Sequence, residues 1–260
     1  MLLWRFGATF AHRQSSKMIP LRDDTPRYST PYVNNFLIGL NTVVFLLMWL
    51  GIPASAQDVV YLFGLEPVRI TALLSGANAV NVHGVVMPVN AASAFVPVFT
   101  SMFMHSSWLH LGGNMLFLWI FGDNIEDYLG HLRYLVFYLL AGVAAAALHT
   151  LLNATSAIPS VGASGAIAGV LGGYMVLYAN AGVTTYIPPI FFIRLPAWLM
   201  LGYWFVMQFL GGAATSIAYS RQTSGGGIAF WAHVGGFVAG VVLIKVVPAR
   251  IRRRIGFSGW

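Results

Sequence analysis

The chain has 260 residues, of which 58% are hydrophobic and only 8% are charged. Ordinary soluble domains carry about 25% charged residues, so this composition excludes a soluble globular protein and indicates a membrane protein. The chain has no cysteine, which excludes disulfides and thiolate metal sites. Its formal net charge of +7 is concentrated near the two ends, so the expected partner is anionic lipid headgroups and not nucleic acid.

Six stretches without Asp, Glu, Lys or Arg are long enough for the ~20 residues that cross a hydrocarbon core. In chain order they are Val33–Pro53, Met102–Gly122, Tyr134–Leu152, Val161–Val183, Leu195–Tyr219 and Gly225–Ile244. They predict an all-α fold, a polytopic bundle of six transmembrane helices. Residues 70–102 also lack charge, but Pro88, Asn90 and Pro97 interrupt them. We therefore interpret this region as a loop on or in the outer leaflet.

The basic residues set the predicted orientation. All Lys and Arg residues except Arg69 and Arg221 lie in the two ends or in the loops after the second and fourth spans, and basic loops face the cytoplasm. We therefore expect a flexible cytoplasmic arm at residues 1–32, a membrane domain at 33–247 and a basic cytoplasmic tail at 248–260. The first residues, MLLWRFGATFAH, do not resemble a signal peptide, because arginine interrupts a short apolar core. The expected location is a bacterial plasma membrane.

On this topology four polar side chains fall in the outer half of the bilayer. Ser164 starts the fourth span, and His233 lies about eight residues into the sixth. His110 and Asn114 lie in the first half of the second span, and their i, i+4 spacing puts an imidazole and a carboxamide on one helix face. Uncharged polar groups in a span usually hydrogen-bond to neighbouring helices, but four of them at one depth indicate a site.

Small residues surround both Ser164 and His233. The segments SVGASGAIAG and AHVGGFVAG both have glycines at the small-xxx-small spacing of packed membrane helices. Taken alone, this pattern would make the serine one more small packing residue. If the two glycine faces meet, they also bring Ser164 and His233 within hydrogen-bonding reach. A serine hydroxyl needs such an adjacent base to act as a nucleophile.

Together these motifs resemble the rhomboid family of intramembrane serine proteases. They are GASG around Ser164, AH followed by VGGFVAG at His233, and HLGGN from His110 to Asn114. The resemblance implies an endopeptidase, without metal or cofactor, that cleaves transmembrane segments of other proteins. In it Ser164 would be the nucleophile and His233 the general base and later acid. His110 and Asn114, with the Ser164 N–H, would form the oxyanion hole. The implied substrates have a small residue before the cut and helix-destabilising residues beyond it.

The chain departs from the family pattern at two places. Family members often carry a tyrosine four residues after the serine, packed on the histidine ring, and here that position is Ala168. A Trp-Arg pair often found in the first outer loop is replaced by Val96-Pro97. The resemblance therefore leaves open what orients His233 and how that loop docks. Glu126 matches a family position with a structural role.

The acidic residues predict a Ser-His dyad without a third member. Only Asp58 and Glu66 lie on the outer side of the predicted topology, both in the loop after the first span. A carboxylate at the bilayer centre would cost about 2.5–3.5 kcal/mol. Losing the acid costs a soluble triad ~10⁴ in rate, so we expect slow turnover. The glycines at 225–227 would either let the preceding loop lift and admit water or form a plain surface turn.

Other functional classes fit the sequence less well. A zinc protease needs a motif such as H-E-x-x-H, whereas His105 and His110 are five residues apart with no Glu between them. We expect His105 at the rim of the site. An aspartyl protease needs two intramembrane Asp, and a proton-coupled transporter needs an acidic relay in the membrane. The six predicted spans contain neither Asp nor Glu, so both classes are poor matches to this sequence. The remaining alternative is a catalytically inactive rhomboid-like protein that binds membrane clients, whose signature would be loss of Ser164 or His233.

Overall fold

The computed structural model describes residues 18–82, 85–188, 191–220 and 229–250, and these are mostly helical. The helices are α1 (Tyr32–Leu50), α2 (Ala56–Phe63), α3 (Pro67–Leu74), α4 (Ala91–Thr100), α5 (Trp108–Phe117), α6 (Asp123–Leu129), α7 (His131–Leu152), α8 (Ser164–Leu177), α9 (Ala197–Ser220) and α10 (Phe230–Val246). The strands are β1 (Ile19–Asp23), β2 (Ala79–Val82), β3 (Val85–Pro88), β4 (Gly182–Ile187) and β5 (Phe191–Pro196). A wider π-type turn, Leu118–Gly122, joins α5 to α6 in one continuous helical segment.

Each of the six apolar stretches contains a helix, but the count of six spans is not confirmed. Among the described residues, three segments are long and apolar enough to cross a membrane, namely Tyr32–Leu50, His131–Leu152 and Ala197–Ala214. The helix α8 has 14 residues and α10 has 17, so at ~1.5 Å per residue both are shorter than a core of ~30 Å. The predicted fourth span was too long, because the chain leaves the helix at Tyr178. The glycines at 225–227 lie outside the described residues.

The helices α7, α8 and α10 pack against one another at the centre of the molecule. A Cβ atom added to Gly236 of α10 would collide with the carbonyl of Gly165, and one added to Gly240 would collide with Gly169. A Cβ on Gly169 would collide with Ala141 of α7 and would also lie 3.2 Å from the Gly236 carbonyl oxygen of α10. The backbones of α8 and α10 are therefore in direct contact, the arrangement that small residues allow in membrane helices. The predicted meeting of the two glycine faces is confirmed.

Glu126 ties α6 to the start of α1. Its carboxylate is fully buried and accepts hydrogen bonds from the backbone N–H groups of Val33 (3.0 Å) and Asn34 (2.7 Å). These donors belong to the first turn of α1, where the helix leaves them without intrahelical partners and where negative charge is favourable. His131 Nδ1 lies 2.5 Å from the same carboxylate, and Tyr134 donates to the Asn34 amide oxygen at 2.8 Å. Glu126 therefore lies in a structural network.

The all-α prediction is wrong at one end of the molecule, where β1, β4 and β5 form an antiparallel sheet in the order β1-β4-β5. Thr184 of β4 stands opposite Arg194 on one side and Arg22 on the other. The strand β4, GVTTYI, is rich in β-branched and aromatic residues, which favour a strand. The arm at residues 1–32 was expected to be a flexible lead-in, and this is wrong for Ile19–Asp23, because their backbone pairs with β4.

The chain between α1 and α5 is more ordered than the predicted loop at residues 70–102. Asn90 starts α4 rather than interrupting a helix, because its side chain accepts from Ser93 N–H (2.9 Å) while Ser93 Oγ accepts from Asn90 N–H (3.0 Å). The strands β2 and β3 pair as a hairpin just before it. A buried ion pair, Arg69 Nε to Glu66 Oε2 at 2.6 Å, holds the start of α3. The same guanidinium donates to the Tyr61 carbonyl of α2 at 2.9 Å, so it also connects α3 to α2.

The first residues of the C-terminal tail pack against the junction of α6 and α7. The Arg250 N–H donates to the Tyr128 carbonyl at 2.8 Å. The Arg133 guanidinium donates to the carbonyls of Pro248 and Ala249, each at 3.1 Å. The β1-β4-β5 sheet and the start of the tail therefore lie at the same end of the molecule. The remaining tail residues, 251–260, lie outside the described part of the chain.

Candidate active site

Ser164 and His233 meet where α8 and α10 begin. Ser164 is the first residue of α8, and His233 lies in the first turn of α10. His233 Nε2 lies 2.7 Å from Ser164 Oγ, a normal hydrogen-bond distance. His233 is only 8% exposed, so little bulk water competes for this contact. A hydroxyl donating to an unprotonated imidazole nitrogen is the arrangement that general-base activation of a serine requires.

The packing of small residues fixes this meeting point. A Cβ atom built on Gly165, the residue after Ser164, would lie 2.7 Å from the Ala145 Cβ of α7 and 3.8 Å from the Ala232 Cβ of α10. A larger residue would therefore push α8 away from α7. Because Ala232 precedes His233 directly, the close approach of the two helices places the imidazole beside the serine. The segment around Ser164 thus serves both packing and the serine–histidine contact.

The backbone at the start of α8 offers donors for an anionic oxygen. As the first helical residue, Ser164 has an N–H group without an intrahelical partner, at the positive end of the helix. Gly162, two residues earlier, has a φ of +140°, a conformation that favours glycine. Its N–H donates to the Ser101 carbonyl at 2.9 Å, which fixes the turn that leads into Ser164. Helix N-termini of this kind stabilise negative charge.

Of the two residues expected in the oxyanion hole, His110 lies next to this turn. A Cβ built on Gly162 would lie 2.8 Å from His110 Cε1 and 3.5 Å from Ser164 Oγ. Asn114, one turn further along α5, is 8% exposed, and its Nδ2 lies 2.8 Å from His105 Nε2. The structure therefore brings the His110 ring beside the turn that leads into Ser164 and anchors the Asn114 amide through His105.

His105 is a buried support and not a rim residue. It is 2% exposed, which corrects the expectation that it would shape the rim. Its ring packs edge-on against His110, with ring centroids 5.0 Å apart and an interplanar angle of 68°. One buried imidazole therefore contacts both His110 and Asn114 from behind.

Sequence reasoning missed Gln208, which lies on α9. Its Oε1 lies 2.7 Å from His233 Nδ1, so His233 contacts Ser164 with one ring nitrogen and Gln208 with the other. Trp204, one helical turn earlier, packs on the same imidazole, with centroids 5.7 Å apart and planes tilted by 36°. Ala168 is fully buried and carries no ring. The signal in the sequence was a lone amide within the apolar helix α9.

The carboxylates of the described residues lie elsewhere. In the loop between α1 and α5, Glu66 pairs with Arg69 and Asp58 accepts from Ser55 Oγ at 2.6 Å. The others gather at the far end of α8, where Tyr174 OH donates to Asp23 at 2.6 Å. Among the described residues no group of three or more His, Asp and Glu side chains is arranged to hold a metal ion.

Residues 92–250 match the model of the Rhomboid domain. The match covers more than half of the chain. The chain belongs to the rhomboid family. Family members are polytopic membrane proteins, which agrees with the apolar helices of this rhomboid chain and makes it a membrane protein. All four residues of the candidate site, from His110 to His233, lie inside the matched range.

Three curated relatives show how far the similarity extends. The chain is 30% identical over 172 residues to Rhomboid protein 1, mitochondrial, of Saccharomyces cerevisiae, covering 63% of this chain and 46% of the relative. It is 30% identical to Rhomboid-like protein 11, chloroplastic, of Arabidopsis thaliana, covering 56% and 50%. It is 33% identical to Presenilin-associated rhomboid-like protein A, mitochondrial, of Danio rerio, covering 52% and 30%.

This rhomboid chain matches half or less of the length of each of these relatives. The names of the relatives place those proteins in mitochondria and chloroplasts. They conflict with the expectation of a bacterial plasma membrane.

Proposed function

We propose that this rhomboid-family protein is an intramembrane serine endopeptidase that cleaves transmembrane segments of other membrane proteins. The observation that carries the proposal is the 2.7 Å contact between Ser164 Oγ and His233 Nε2. A half-buried hydroxyl and a buried imidazole at this distance are the minimum set for nucleophilic acyl transfer. Ser164 is the nucleophile, His233 is the general base and acid, and the reaction uses neither metal nor cofactor.

The first half of the reaction is acylation of Ser164. Its Oγ attacks the carbonyl carbon of the scissile peptide bond while its proton moves to His233 Nε2. The tetrahedral intermediate carries a negative charge on the former carbonyl oxygen. As the intermediate collapses, the C–N bond breaks and the proton on Nε2 passes to the departing amine. The acyl group of the substrate then forms an ester with Ser164.

Donors around the start of α8 stabilise the oxyanion. The Ser164 N–H lies at a helix N-terminus, and the His110 ring lies beside the turn before it. The Asn114 carboxamide completes the set, with His105 as its buried support. Fixed donors in a water-poor site are worth more than donors in water, because they need no reorganisation when charge develops.

The second half of the reaction is hydrolysis of the ester. A water molecule donates a proton to His233 Nε2 and attacks the acyl carbon, and the proton then returns to Ser164 Oγ as the acid product leaves. Ser164 is the first residue of α8, and in the proposed topology this end of the helix lies near the membrane surface. Water therefore reaches the ester from that surface. Slow turnover is expected, because no carboxylate supports the imidazolium.

The proposed topology follows from the distribution of basic residues. Both ends of the chain lie on one positively charged face, where anionic headgroups hold them, and Ser164 opens toward the opposite face. The relatives named above favour an organelle membrane over a bacterial plasma membrane. The proposed substrates are membrane proteins with a small residue before the cut and a helix-destabilising segment beyond it.

The test is reconstitution in liposomes with a generic transmembrane substrate. Ser164→Ala and His233→Ala are expected to lose essentially all cleavage, because removing the nucleophile or base of a serine hydrolase costs ~10⁶ in kcat. Ser160→Ala is the matched control, since Ser160 lies on the same loop and its backbone pairs with Leu65. The control is expected to cleave like the unaltered chain.

Equal cleavage by Ser164→Ala and the unaltered chain would reject the protease. Binding of the transmembrane substrate without cleavage by the unaltered chain or by any of the three variants would instead support an inactive client-binding member of the family. Product analysis by mass spectrometry fixes the cut site and tests the expected small residue before it.

A further inference from the structure

The helix α9 contributes two side chains to the environment of His233. Its first 18 residues form one of the three long apolar segments, and Gln208 is the one amide side chain in the helix. Polar groups inside a membrane span are costly unless they find a partner. Gln208 finds it in His233, and Trp204, one helical turn away, lies against the same ring.

The two contacts of His233 define which of its nitrogens carries the proton. For Nε2 to accept the Ser164 hydroxyl proton, it must be unprotonated, so the neutral ring carries its hydrogen on Nδ1. An Nδ1–H group needs an acceptor, and the Gln208 amide oxygen lies 2.7 Å away. The same bond persists when Nε2 is also protonated, because Nδ1 is a donor in both forms. Gln208 therefore favours the tautomer that proteolysis requires.

We propose that Gln208 is the positioning residue of the histidine, which makes the site a Ser164–His233–Gln208 triad with an uncharged third member. This inference rests on the proposed serine protease function. The amide acts through His233 and does not touch the substrate. It takes the position that a carboxylate holds in soluble serine proteases, and it supplies the orientation that Ala168 does not.

An amide suits this position better than a carboxylate does. A buried carboxylate in an apolar span carries a large desolvation penalty, whereas a neutral amide oxygen still accepts the Nδ1–H bond. An asparagine orients the histidine in the same way in papain-like proteases. The disadvantage of the amide is that a neutral acceptor stabilises the imidazolium less than a carboxylate does. The expected consequence is a correctly oriented but modestly basic histidine.

The test compares two substitutions of Gln208 in the full chain in liposomes. Gln208→Met keeps the length of the side chain and removes the acceptor, and we expect kcat to fall ~10–100-fold with KM within about two-fold. Gln208→Glu keeps an acceptor, so it is expected to cleave faster than Gln208→Met. For Gln208→Glu, the acidic limb of the pH profile of kcat/KM is expected to move to higher pH, because a carboxylate stabilises the imidazolium form of His233. The neighbouring Met207→Leu is the control and is expected to cleave like the unaltered chain.

A second readout separates this inference from the proposed function. A small fluorophosphonate probe labels an activated serine without needing a transmembrane substrate. Labelling of Ser164 should slow in Gln208→Met and recover in Gln208→Glu. If Ser164→Ala abolishes cleavage while Gln208→Met labels and cleaves within about two-fold of the unaltered chain, the protease stands and the Gln208 role is wrong. A rise in KM with unchanged kcat and labelling would also overturn it. No labelling of the unaltered chain would reject both.

Discussion

The two ends of α8 lie in opposite electrostatic surroundings. At its start, Ser164 bonds to His233 in a network of uncharged groups. At its end, Tyr174 bonds to Asp23 and Thr25, close to a cluster that contains most of the acidic residues. In the sheet beside it, Arg194 and Asp24 form an ion pair. One helix of 14 residues therefore connects a neutral candidate site to a charged structural end.

The comparison shows how the fold divides its polar groups. Charged side chains gather at the far end of α8, where they connect β1, α1 and α6. The site relies on hydrogen bonds between neutral side chains, because these are less costly to bury than charges. Perturbing the helix contact is expected to disrupt both ends, whereas perturbing either polar network should affect its own end only.

The largest effect is expected from the contact between α8 and α10. Gly236→Leu places a side chain where the Gly165 carbonyl now lies, so it forces the helices apart and is expected to abolish both folding in the membrane and activity. Gly202→Ala on α9 is the control, since a Cβ there meets nothing within 4 Å, and it is expected to be neutral or stabilising by up to ~1 kcal/mol. Thermal unfolding in detergent checks both. Normal stability in Gly236→Leu would contradict the backbone contact.

A smaller effect, confined to the site, is expected from the proposed oxyanion donors. Asn114→Leu removes the carboxamide at similar volume and should lower kcat ~10²–10³-fold with little change in KM. His105→Phe leaves Asn114 in place but removes the partner of its amide, so a smaller fall of about tenfold is expected, the worth of one hydrogen bond. Steady-state kinetics with one transmembrane substrate checks the order. Equal losses in the two variants would assign His105 a direct role.

The smallest effect is expected at the charged end. Asp123 follows the predicted second span, and burial, with the negative Asp23 nearby, raises the pKa of Asp123 from 3.8 to about 6, although Arg27 opposes the shift. The folded state therefore keeps this proton to higher pH than the unfolded state. Stability contributed by the protonated form is lost as pH rises from about 4 to 6.

The substitution Asp123→Asn removes this titration. The unaltered chain is expected to lose about 2 kcal/mol relative to Asp123→Asn between pH 4 and 7, while kcat at the distant site stays the same. Unfolding free energies measured at several pH values test this. Parallel curves for the two proteins would show that the buried carboxyl does not titrate as expected.

The sequence predicted the features that depend on local composition. Lack of charge located a helix in each of the six stretches, and glycine spacing located the contact between α8 and α10. The spacing of His110 and Asn114 placed them on one helix. These features could be predicted because each depends on a short segment in which the spacing of residue types matches the helical period.

Features that depend on contacts between distant segments could not be predicted from the sequence. The strand β1 pairs with β4 across more than half of the chain, and no local pattern in Ile19–Asp23 specifies that partner. Gln208 became meaningful only when α9 was seen beside His233, since an amide in an apolar helix has many possible partners. Asn90 was misread as an interruption because a capping residue has the same composition as a break.

The glycine contact between α8 and α10 has a consequence for divergence among relatives. Since main chain touches main chain there, the separation of the Ser164 and His233 backbones does not depend on the rotamers of large side chains. Substitutions elsewhere on the outer surfaces of the bundle can accumulate without changing that separation. If the proposed protease is correct, its substrate preference can change among relatives while the contact between Ser164 and His233 is retained.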